Sequence, residues 1–351
     1  RQLSSTDFRL NIRRQKDWFE ASGDVAVSEH AVLDLQQLMG LMNAANGDFI
    51  PLGDGEFLTL TEEFRERLEL MQKFSTGSSK KVRIHGLAAL AMEIAFADMD
   101  QRQVDSEWQA HINRIKKACA IRPKVPKTLK ATLLDYQTEC YTWLARLANW
   151  GVGACLADDM GLGKTLQGLA VILKRCKDGP TLVIAPTSVC LNWCSEAERF
   201  APSLKLHSFG SDQRQQLVDS LGAKDLLVCS YGLLQQDAVA DMLAQVTWTT
   251  IVLDEAQAIK NPSTLRSQAV MALQGQFKII MTGTPIENHL GELWNLFQYI
   301  NPGLLGSLHS FNRRFANPIA RENDAGARKA LRRLIAPFIL RRTKDQVLTE
   351  L

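Results

Sequence analysis

The sequence contains no long apolar run. None of its 351 residues falls in a stretch close to the roughly 20 continuous apolar residues that a membrane-spanning helix needs. The first ten residues are polar and charged, and they lack the apolar centre of a secretion signal. We therefore expect a cytoplasmic protein that does not contact membranes.

Paired cysteine motifs are also absent from the sequence. The seven cysteines are odd in number and scattered, and several fall inside apolar runs, a pattern typical of reduced thiols. Cys190 and Cys194 lack a second Cys or His pair at the spacing of a zinc site. We favour core or surface thiols over a metal site.

Neither sign of charge dominates, since the formal net charge is only +3. The basic residues are concentrated towards the end, where residues 301–351 hold ten Lys and Arg against four Asp and Glu. Two interpretations remain open: a stripe that neutralises nucleic-acid phosphates, or a solvated helix face. The residues concerned are Arg313, Arg314, Arg328, Lys329, Arg332, Arg333, Arg341, Arg342 and Lys344.

The length and the composition, 46% apolar and 23% charged, are those of a globular protein of about two domains. Residues 1–120 are predicted to form a smaller α+β accessory domain, with a strand at 17–27, a hairpin at 49–60 and helices after Leu33, Thr61, Leu87 and Asp105. Residues 121–132, which include two prolines, are predicted to be a linker. Residues 133–310 form the predicted main domain, and residues 311–351 a basic helical extension.

Short apolar runs alternate with helical patterns in the main domain. This rhythm predicts an α/β fold whose parallel sheet is covered by helices on both faces. In such a sheet, chemistry belongs at the carboxyl ends of the strands. The predicted strands are 154–157, 182–185, 204–209, 226–229, 251–253 and 278–281.

A glycine-rich loop lies between the first predicted strand and a helix. It consists of Asp158, Asp159, Met160, Gly161, Leu162, Gly163, Lys164 and Thr165. The glycines permit a tight turn, and the N–H groups at the following helix N-terminus can bind an anion. Lys164 can reach the β- and γ-phosphates of a nucleotide, and the Thr165 hydroxyl can bind Mg²⁺. The general phosphate-loop pattern has Gly where Asp158 stands, but the strand–loop–helix context favours phosphate binding over an ordinary turn.

Two adjacent carboxylates, Asp254 and Glu255, follow another predicted strand. Considered alone, such a pair belongs to an ordinary acidic loop as often as to a functional site. Downstream of a phosphate loop in the same sheet, Asp254 is predicted to hold Mg²⁺ and Glu255 to take a proton from the attacking water.

An ordered series of motifs resembles the Swi/Snf-type ATPases of helicase superfamily two, including their bacterial members. The resemblance runs from about Leu133 to Leu351. It rests on LDYQTECYTWL (134–144), DDMGLGKT (158–165), VIAPTSVCLNW (183–193), VCSYGLL (228–234), LDEAQAIKN (253–261), MTGTPIENHLGELWNLFQYINPGLLG (281–306) and FILRRTKDQVLTEL (338–351). It implies a RecA-like fold for the main domain, with ATP and Mg²⁺ as cofactors.

The same resemblance implies roles for single residues. Gln137 matches the glutamine that recognises adenine. Thr187, Asn192, Ser230 and Tyr231 match segments that track the phosphates of duplex DNA, while Thr282, Gly283 and Thr284 match the segment that couples nucleotide state to DNA contact. For these hydroxyl and amide groups the alternative, capping of helices and loops, remains open.

The resemblance also implies a catalytic cleft between two RecA-like lobes, the second of which supplies arginines to the γ-phosphate. We expect that this chain holds only the first lobe, binds nucleotide and hydrolyses it poorly alone. The implied function is ATP-driven movement along duplex DNA that remodels protein–DNA complexes. Two alternatives are a regulatory scaffold that binds a protein partner through residues 1–120 and a phosphate-loop NTPase that does not touch nucleic acid.

Overall fold

The computed structural model describes residues 2–28, 31–45, 47–53, 55–75, 82–210, 213–283 and 290–347. The chain divides into two compact units. One combines Arg1–Lys116 with Gly303–Pro337, and the other combines Lys117–Pro302 with Phe338–Leu351. No helix among the described residues is both long and apolar enough to span a bilayer.

The second unit is built on a sheet of seven strands that are all parallel. Across the sheet the strands are Lys205–Ser208, Asp225–Ser230, Thr181–Ala185, Thr247–Leu253, Gln274–Met281, Ala154–Leu156 and Ile339–Leu340. Every residue of Thr181–Ala185 and of Asp225–Ser230 is buried, because strands in the middle of a parallel sheet are covered on both faces.

Helices connect these strands. They are Asp135–Trp150, Lys164–Arg175, Thr187–Phe200, Arg214–Ser220, Tyr231–Leu234, Asp237–Ala244, Leu265–Ala272, Leu290–Ile300 and Lys344–Val347, with a 3-10 turn at Ala256–Ile259. The chain moves first towards one edge of the sheet and then back towards the other. Since parallel crossovers are right-handed, helices cover both faces. The predicted α/β class is confirmed, and all six predicted strands lie in this sheet.

The first unit contains two smaller sheets. In one, Phe8–Gln15 pairs antiparallel with Trp18–Ala26, and Val32–Asp34, Val82–His85 and Arg102–Val104 complete five strands. The other consists of Gln2–Leu3, Glu56–Leu60 and Phe49–Gly53. The helices of the first unit are Leu35–Ala44, Glu62–Phe74, Ala89–Phe96, Leu308–Phe311, Asn317–Arg321 and Ala325–Ile335. The helix Ser106–Ala120 begins in this unit and ends in the second. Four of the six strand pairings in these sheets are antiparallel, and together with the separate helices they fit the α+β prediction.

Local signals placed several of these N-terminal elements, but not the strands Phe8–Gln15, Val82–His85 and Arg102–Val104. Thr61 accepts a hydrogen bond from the Phe64 amide and so caps the helix that begins at Glu62. The predicted hairpin is present between Phe49 and Leu60, although Asp54 at its turn lies outside the described residues.

Residues 303–337 pack with residues 1–116, whereas the sequence had placed 303–310 in the main domain and 311–337 in a separate extension. The helix Ala325–Ile335 explains the difference. It buries an apolar face, including Leu331 and Leu334, within the first unit. Lys73 and Asp324 form an ion pair of 2.9 Å beside this helix.

The basic residues near the end of the chain do not form one solvated stripe. Arg314 is largely buried and donates hydrogen bonds to the carbonyl oxygens of Lys73, Ser75 and Leu305. Lys329 pairs with Glu66 at 2.8 Å. Arg314 is therefore not part of a solvated face, whereas Lys329 is paired but exposed.

Candidate nucleotide-binding site

The glycine-rich loop, residues 158–165, joins the end of the strand Ala154–Leu156 to the helix Lys164–Arg175. Gly161 and Gly163 adopt left-handed backbone angles, with φ of +90° and +75°. A Cβ at Gly163 would lie 2.7 Å from Nε2 of Gln137, so this position has no room for a side chain. The loop therefore brings bare backbone to the N-terminus of a twelve-residue helix, where N–H groups favour an anion.

Lys164 lies over this loop. Its ammonium donates hydrogen bonds to the carbonyl oxygens of Asp158, at 2.8 Å, and of Asp159, at 3.4 Å. Thr165 follows in the first turn of the helix, half-buried. Lys164 and Thr165 therefore lie at the start of the helix that follows the loop, and their roles towards phosphate and Mg²⁺ stay predictions.

Three side chains hold the far end of the loop through one carbonyl oxygen. The oxygen of Leu162 accepts hydrogen bonds from the hydroxyl of Tyr136 at 3.2 Å and from Nε2 of Gln167 at 2.8 Å, and Nε2 of Gln137 lies 3.5 Å away. Gln137 is buried and its Oε1 accepts from the amide of Leu134. The structure places Gln137 against the loop, and its role in adenine recognition stays a prediction.

Asp254 begins the acidic pair directly after the strand Thr247–Leu253. Its Oδ2 accepts a hydrogen bond from Nε1 of Trp193 at 2.8 Å, and its Oδ1 accepts from the amide of Glu255 at 2.9 Å. Burial raises the pKa of Asp254, while these two hydrogen bonds and the nearby Lys164 act in the opposite direction. Both oxygens are fixed, as a metal-binding carboxylate requires.

Glu255 has a left-handed backbone with φ of +48°, an uncommon conformation for a residue with a side chain. Its Oε2 accepts a hydrogen bond from Nε2 of Gln257 at 2.8 Å. The Oε1 of Gln257 in turn accepts from the hydroxyl of Thr282 at 3.3 Å. A continuous path of hydrogen bonds therefore joins the predicted base to the predicted coupling segment.

The coupling segment also reaches the phosphate loop. The amide of Thr282 donates to the carbonyl of Leu156, at the end of the strand that precedes the loop. A Cβ at Gly283 would lie 3.6 Å from the side chain of Met160. Thr284, the third predicted coupling residue, lies outside the described residues.

The four predicted DNA contacts differ in exposure. Thr187 and Asn192 are exposed on the helix Thr187–Phe200, where Asn192 donates to Glu196 at 2.9 Å. Ser230 accepts from the amide of Leu233 and caps a short helix.

Tyr231 is buried, and its hydroxyl donates to the carbonyl of Asp254. For Ser230 and Tyr231 the structure shows the capping role that the sequence left as the alternative. A DNA role for all four residues stays a prediction.

Two residues beside the site were missed as functional from the sequence. Trp193 is fully buried, and its indole also positions Asp254. Arg342 was placed in the basic helical extension, yet its guanidinium donates to the buried carboxylate of Asp158. The sequence feature that could have indicated the role of Arg342 is Asp158. A charge directly after a buried strand requires a partner, but the sequence does not identify that partner.

The donor set fits a magnesium nucleotide. A lysine, a helix N-terminus and backbone without side chains suit the phosphates, and a hydroxyl and a fixed carboxylate suit Mg²⁺, which takes few protein ligands beside phosphate oxygens. In the part of the chain that is described, no cluster of three or more His, Cys, Asp or Glu suggests an all-protein metal site.

Comparison with known proteins agrees with this geometry. The SNF2-related domain family matches residues 136–351. YwqA of Bacillus subtilis, named as an ATP-dependent helicase/translocase, is 45% identical over 229 residues, which cover 63% of this chain and 24% of the relative. The TATA-binding protein-associated factor MOT1 of Saccharomyces cerevisiae is 37% identical, over 65% of this chain and 14% of its own length. This chain thus spans a quarter or less of these relatives.

The SWI2/SNF2 ATPase core of Sulfolobus solfataricus, solved in complex with double-stranded DNA, is similar in structure, with a TM-score of 0.60 and 42% identity over 66% of this chain and 49% of that one. A second structure, of the Sulfolobus solfataricus SWI2/SNF2 ATPase core domain, gives a TM-score of 0.58. These matches confirm the RecA-like fold and the resemblance that the ordered motifs indicated. The chain therefore belongs to the SNF2-related family.

Proposed function

We propose that this chain is the ATP-binding lobe of a DNA-dependent ATPase that moves along duplex DNA and remodels protein–DNA complexes. One observation carries the proposal: the hydrogen-bonded path from Glu255 through Gln257 to Thr282, beside a phosphate loop. Such a path connects the catalytic base to a segment outside the phosphate loop, as coupling of ATP hydrolysis to movement requires.

Each residue has a definable task in this site. Lys164 neutralises phosphate charge, and Thr165 with Asp254 holds Mg²⁺, which offsets charge on the β- and γ-phosphates. Glu255 accepts a proton from the attacking water, held in orientation by Gln257. Gln137, which contacts the loop, reads the adenine edge.

We propose further that hydrolysis needs arginines from a second RecA-like lobe. Such arginines contribute on the order of 10³–10⁵ in rate. Within the second unit, Arg342 is committed to Asp158 and so cannot replace them. The chain alone is then expected to bind Mg·ATP and to turn it over poorly.

The test combines nucleotide binding with steady-state ATPase activity, each with and without linear duplex DNA at low salt. The chain should bind Mg·ATP without appreciable turnover. Lys164→Ala should lose binding, whereas Lys174→Ala, an exposed lysine at the other end of the same helix, should retain it. DNA-stimulated turnover that Lys164→Ala abolishes would refute the need for a second lobe, and no nucleotide binding at all would refute the function.

We propose that the protein moves along duplex DNA and binds it mainly through the phosphates. Binding should then weaken steeply between roughly 50 and 200 mM salt and depend little on sequence. A chain that binds nucleotide but no duplex at either salt concentration would favour the NTPase that does not act on nucleic acid.

A protein partner for residues 1–120 is a second proposal. Phe49 and Phe57 are 64% and 54% exposed and pack edge to face, with ring centroids 6.4 Å apart, on one hairpin. Exposed aromatic side chains are typical of contact surfaces. In pull-downs from an extract, partners retained by the chain and lost with Phe49→Ser plus Phe57→Ser would support this surface. Retention by the double variant would refute it.

A further inference from the structure

Asp158 occupies the first position of the phosphate loop, and its side chain is fully buried. A buried carboxylate is costly unless it is paired and its oxygens are hydrogen-bonded. Arg342 supplies both. Its backbone amide donates to Oδ1 at 2.9 Å, its Nε donates to the same oxygen at 3.3 Å, and its Nη2 donates to Oδ2. A single residue thus supplies the counter-charge and three hydrogen bonds to the carboxylate.

The backbone around Arg342 is joined to the loop as well. The segment 339–347 adds the edge strand Ile339–Leu340 beside Ala154–Leu156. The Ala157 amide then donates to Leu340 at 2.7 Å, the Asp159 amide donates to Arg342 at 3.0 Å, and the Lys344 amide donates to Oδ2 of Asp159 at 3.2 Å. Three consecutive residues that lead into the loop are therefore bonded to this segment.

The same arginine connects the loop to a third element. Its Nη1 donates to the carbonyl of Tyr136, and its guanidinium lies 5.1 Å from the centre of the Tyr136 ring. The Tyr136 hydroxyl donates to Leu162 at the far end of the loop, and Val347 packs with Tyr136 and Leu162. Arg342 therefore fixes the loop directly at Asp158 and indirectly at Leu162.

We propose that Arg342 is a positioning residue for the phosphate loop, so that nucleotide binding and the anchoring of residues 339–347 are coupled. The inference rests on the proposed nucleotide-binding function. Nucleotide should then strengthen the attachment of residues 339–347. Because coupling between two sites is reciprocal, loss of this attachment should weaken nucleotide binding by the same factor.

The test compares Arg342→Ala with the neighbouring, exposed Arg341→Ala in the same chain. Affinity for Mg·ATP is measured by displacement of a fluorescent ATP analogue, and attachment by hydrogen exchange of peptides covering 339–347, with and without ATP. The wild type and Arg341→Ala should bind equally, and ATP should slow exchange across the segment. Arg342→Ala should bind at least tenfold more weakly and lose that protection, and Arg342→Lys should be intermediate because lysine lacks the planar fork.

Arg342→Ala leaves a buried charge and can fail to fold, so the double variant Asp158→Ala plus Arg342→Ala is essential. It removes both charges and should unfold near the wild-type temperature, yet still bind at least tenfold more weakly. Wild-type affinity and ATP protection in the folded double variant would overturn the proposal, because the pair would then serve stability alone. If the wild type binds no nucleotide, the proposed function fails and this inference fails with it.

Discussion

The indole of Trp193 donates a hydrogen bond to Oδ2 of Asp254 at 2.8 Å, although the two residues are 61 positions apart. Trp193 lies on the helix Thr187–Phe200, which carries two predicted DNA contacts, and Asp254 is the predicted metal ligand. The bond therefore connects the proposed DNA face to the proposed catalytic edge, and it bears on the first prediction.

Trp193→Phe should weaken Mg²⁺-dependent nucleotide binding about tenfold, because Asp254 loses a donor worth about 1–3 kcal/mol. Trp248→Phe is the matched control. That indole is also fully buried in the second unit and donates one bond, to Leu243 at 3.0 Å. Both variants should lose similar stability, but only Trp193→Phe should require more Mg²⁺ in a titration. An equal Mg²⁺ requirement in the two variants would contradict the role assigned to Trp193.

Gln257→Ala should leave nucleotide affinity within about twofold and remove the effect of nucleotide on DNA affinity, a coupling that is typically 5–150-fold. The reason is that Gln257 is the bridge between Glu255 and Thr282. The measurement is the Kd for duplex DNA with and without Mg·ATP. Gln257→His, which keeps a ring donor, should restore coupling, and undiminished coupling in the alanine variant would rule out this path.

Gly163→Ala should reduce nucleotide affinity at least tenfold, about 1.4 kcal/mol. The added methyl group would meet Gln137 at 2.7 Å on a backbone with φ of +75°. Gly151→Ala is the control for backbone strain alone. Gly151 also has a left-handed backbone, with φ of +84°, but an added Cβ there would face open space. It should destabilise the chain by about 1 kcal/mol and leave the nucleotide Kd unchanged. Equal Kd values for both variants would mean that the loop does not hold nucleotide.

Arg314→Ala should destabilise the first unit by about 2–4 kcal/mol, because three backbone carbonyls lose their donor. Burial, followed by repulsion from Arg313, lowers the pKa of Arg314 to about 10, as expected for an internal guanidinium. The exposed Arg332→Ala should change stability by less than about 0.5 kcal/mol. The free energy of unfolding of the two variants is measured by chemical denaturation. A small change in Arg314→Ala would contradict this structural role and leave Arg314 as a candidate DNA contact.

Acidification should destabilise the first unit through His85. Burial, and then repulsion from His111, lowers the pKa of His85 below its usual 6.5. As pH falls through 6.5, the unfolded chain takes up a proton that folded His85 does not, so the free energy of unfolding decreases. Protonation of Nδ1 would also remove the acceptor for the Leu87 amide.

His85→Asn keeps an acceptor for that amide and should flatten the pH dependence, whereas the exposed His309→Asn should not. Calorimetric unfolding between about pH 7.5 and 5 measures the difference. A pH dependence that His85→Asn leaves unchanged would show that His85 is not the group responsible.

The sequence indicated which strand ends carry the residues of the candidate nucleotide site. Apolar runs of strand length marked where strands end, and in a parallel sheet those ends meet at one edge. Asp254 and Glu255 follow such a run directly, and Lys164 and Thr165 follow one after the glycine-rich loop. Their approximate positions follow from local patterns, because the backbone preference and the burial of neighbouring residues both mark where a strand ends.

Only the tertiary structure decided how these residues are held. Asp158 and Arg342 are 184 positions apart, Gln257 and Thr282 are 25 apart, and the two-residue strand Ile339–Leu340 is defined by its pairing with Ala154–Leu156. Residues 303–337 likewise join the first unit through packing, not through continuity of the chain. Sequence patterns report the burial and backbone preference of neighbouring residues, whereas the partner of a buried charge or of an edge strand is fixed only when distant segments come together.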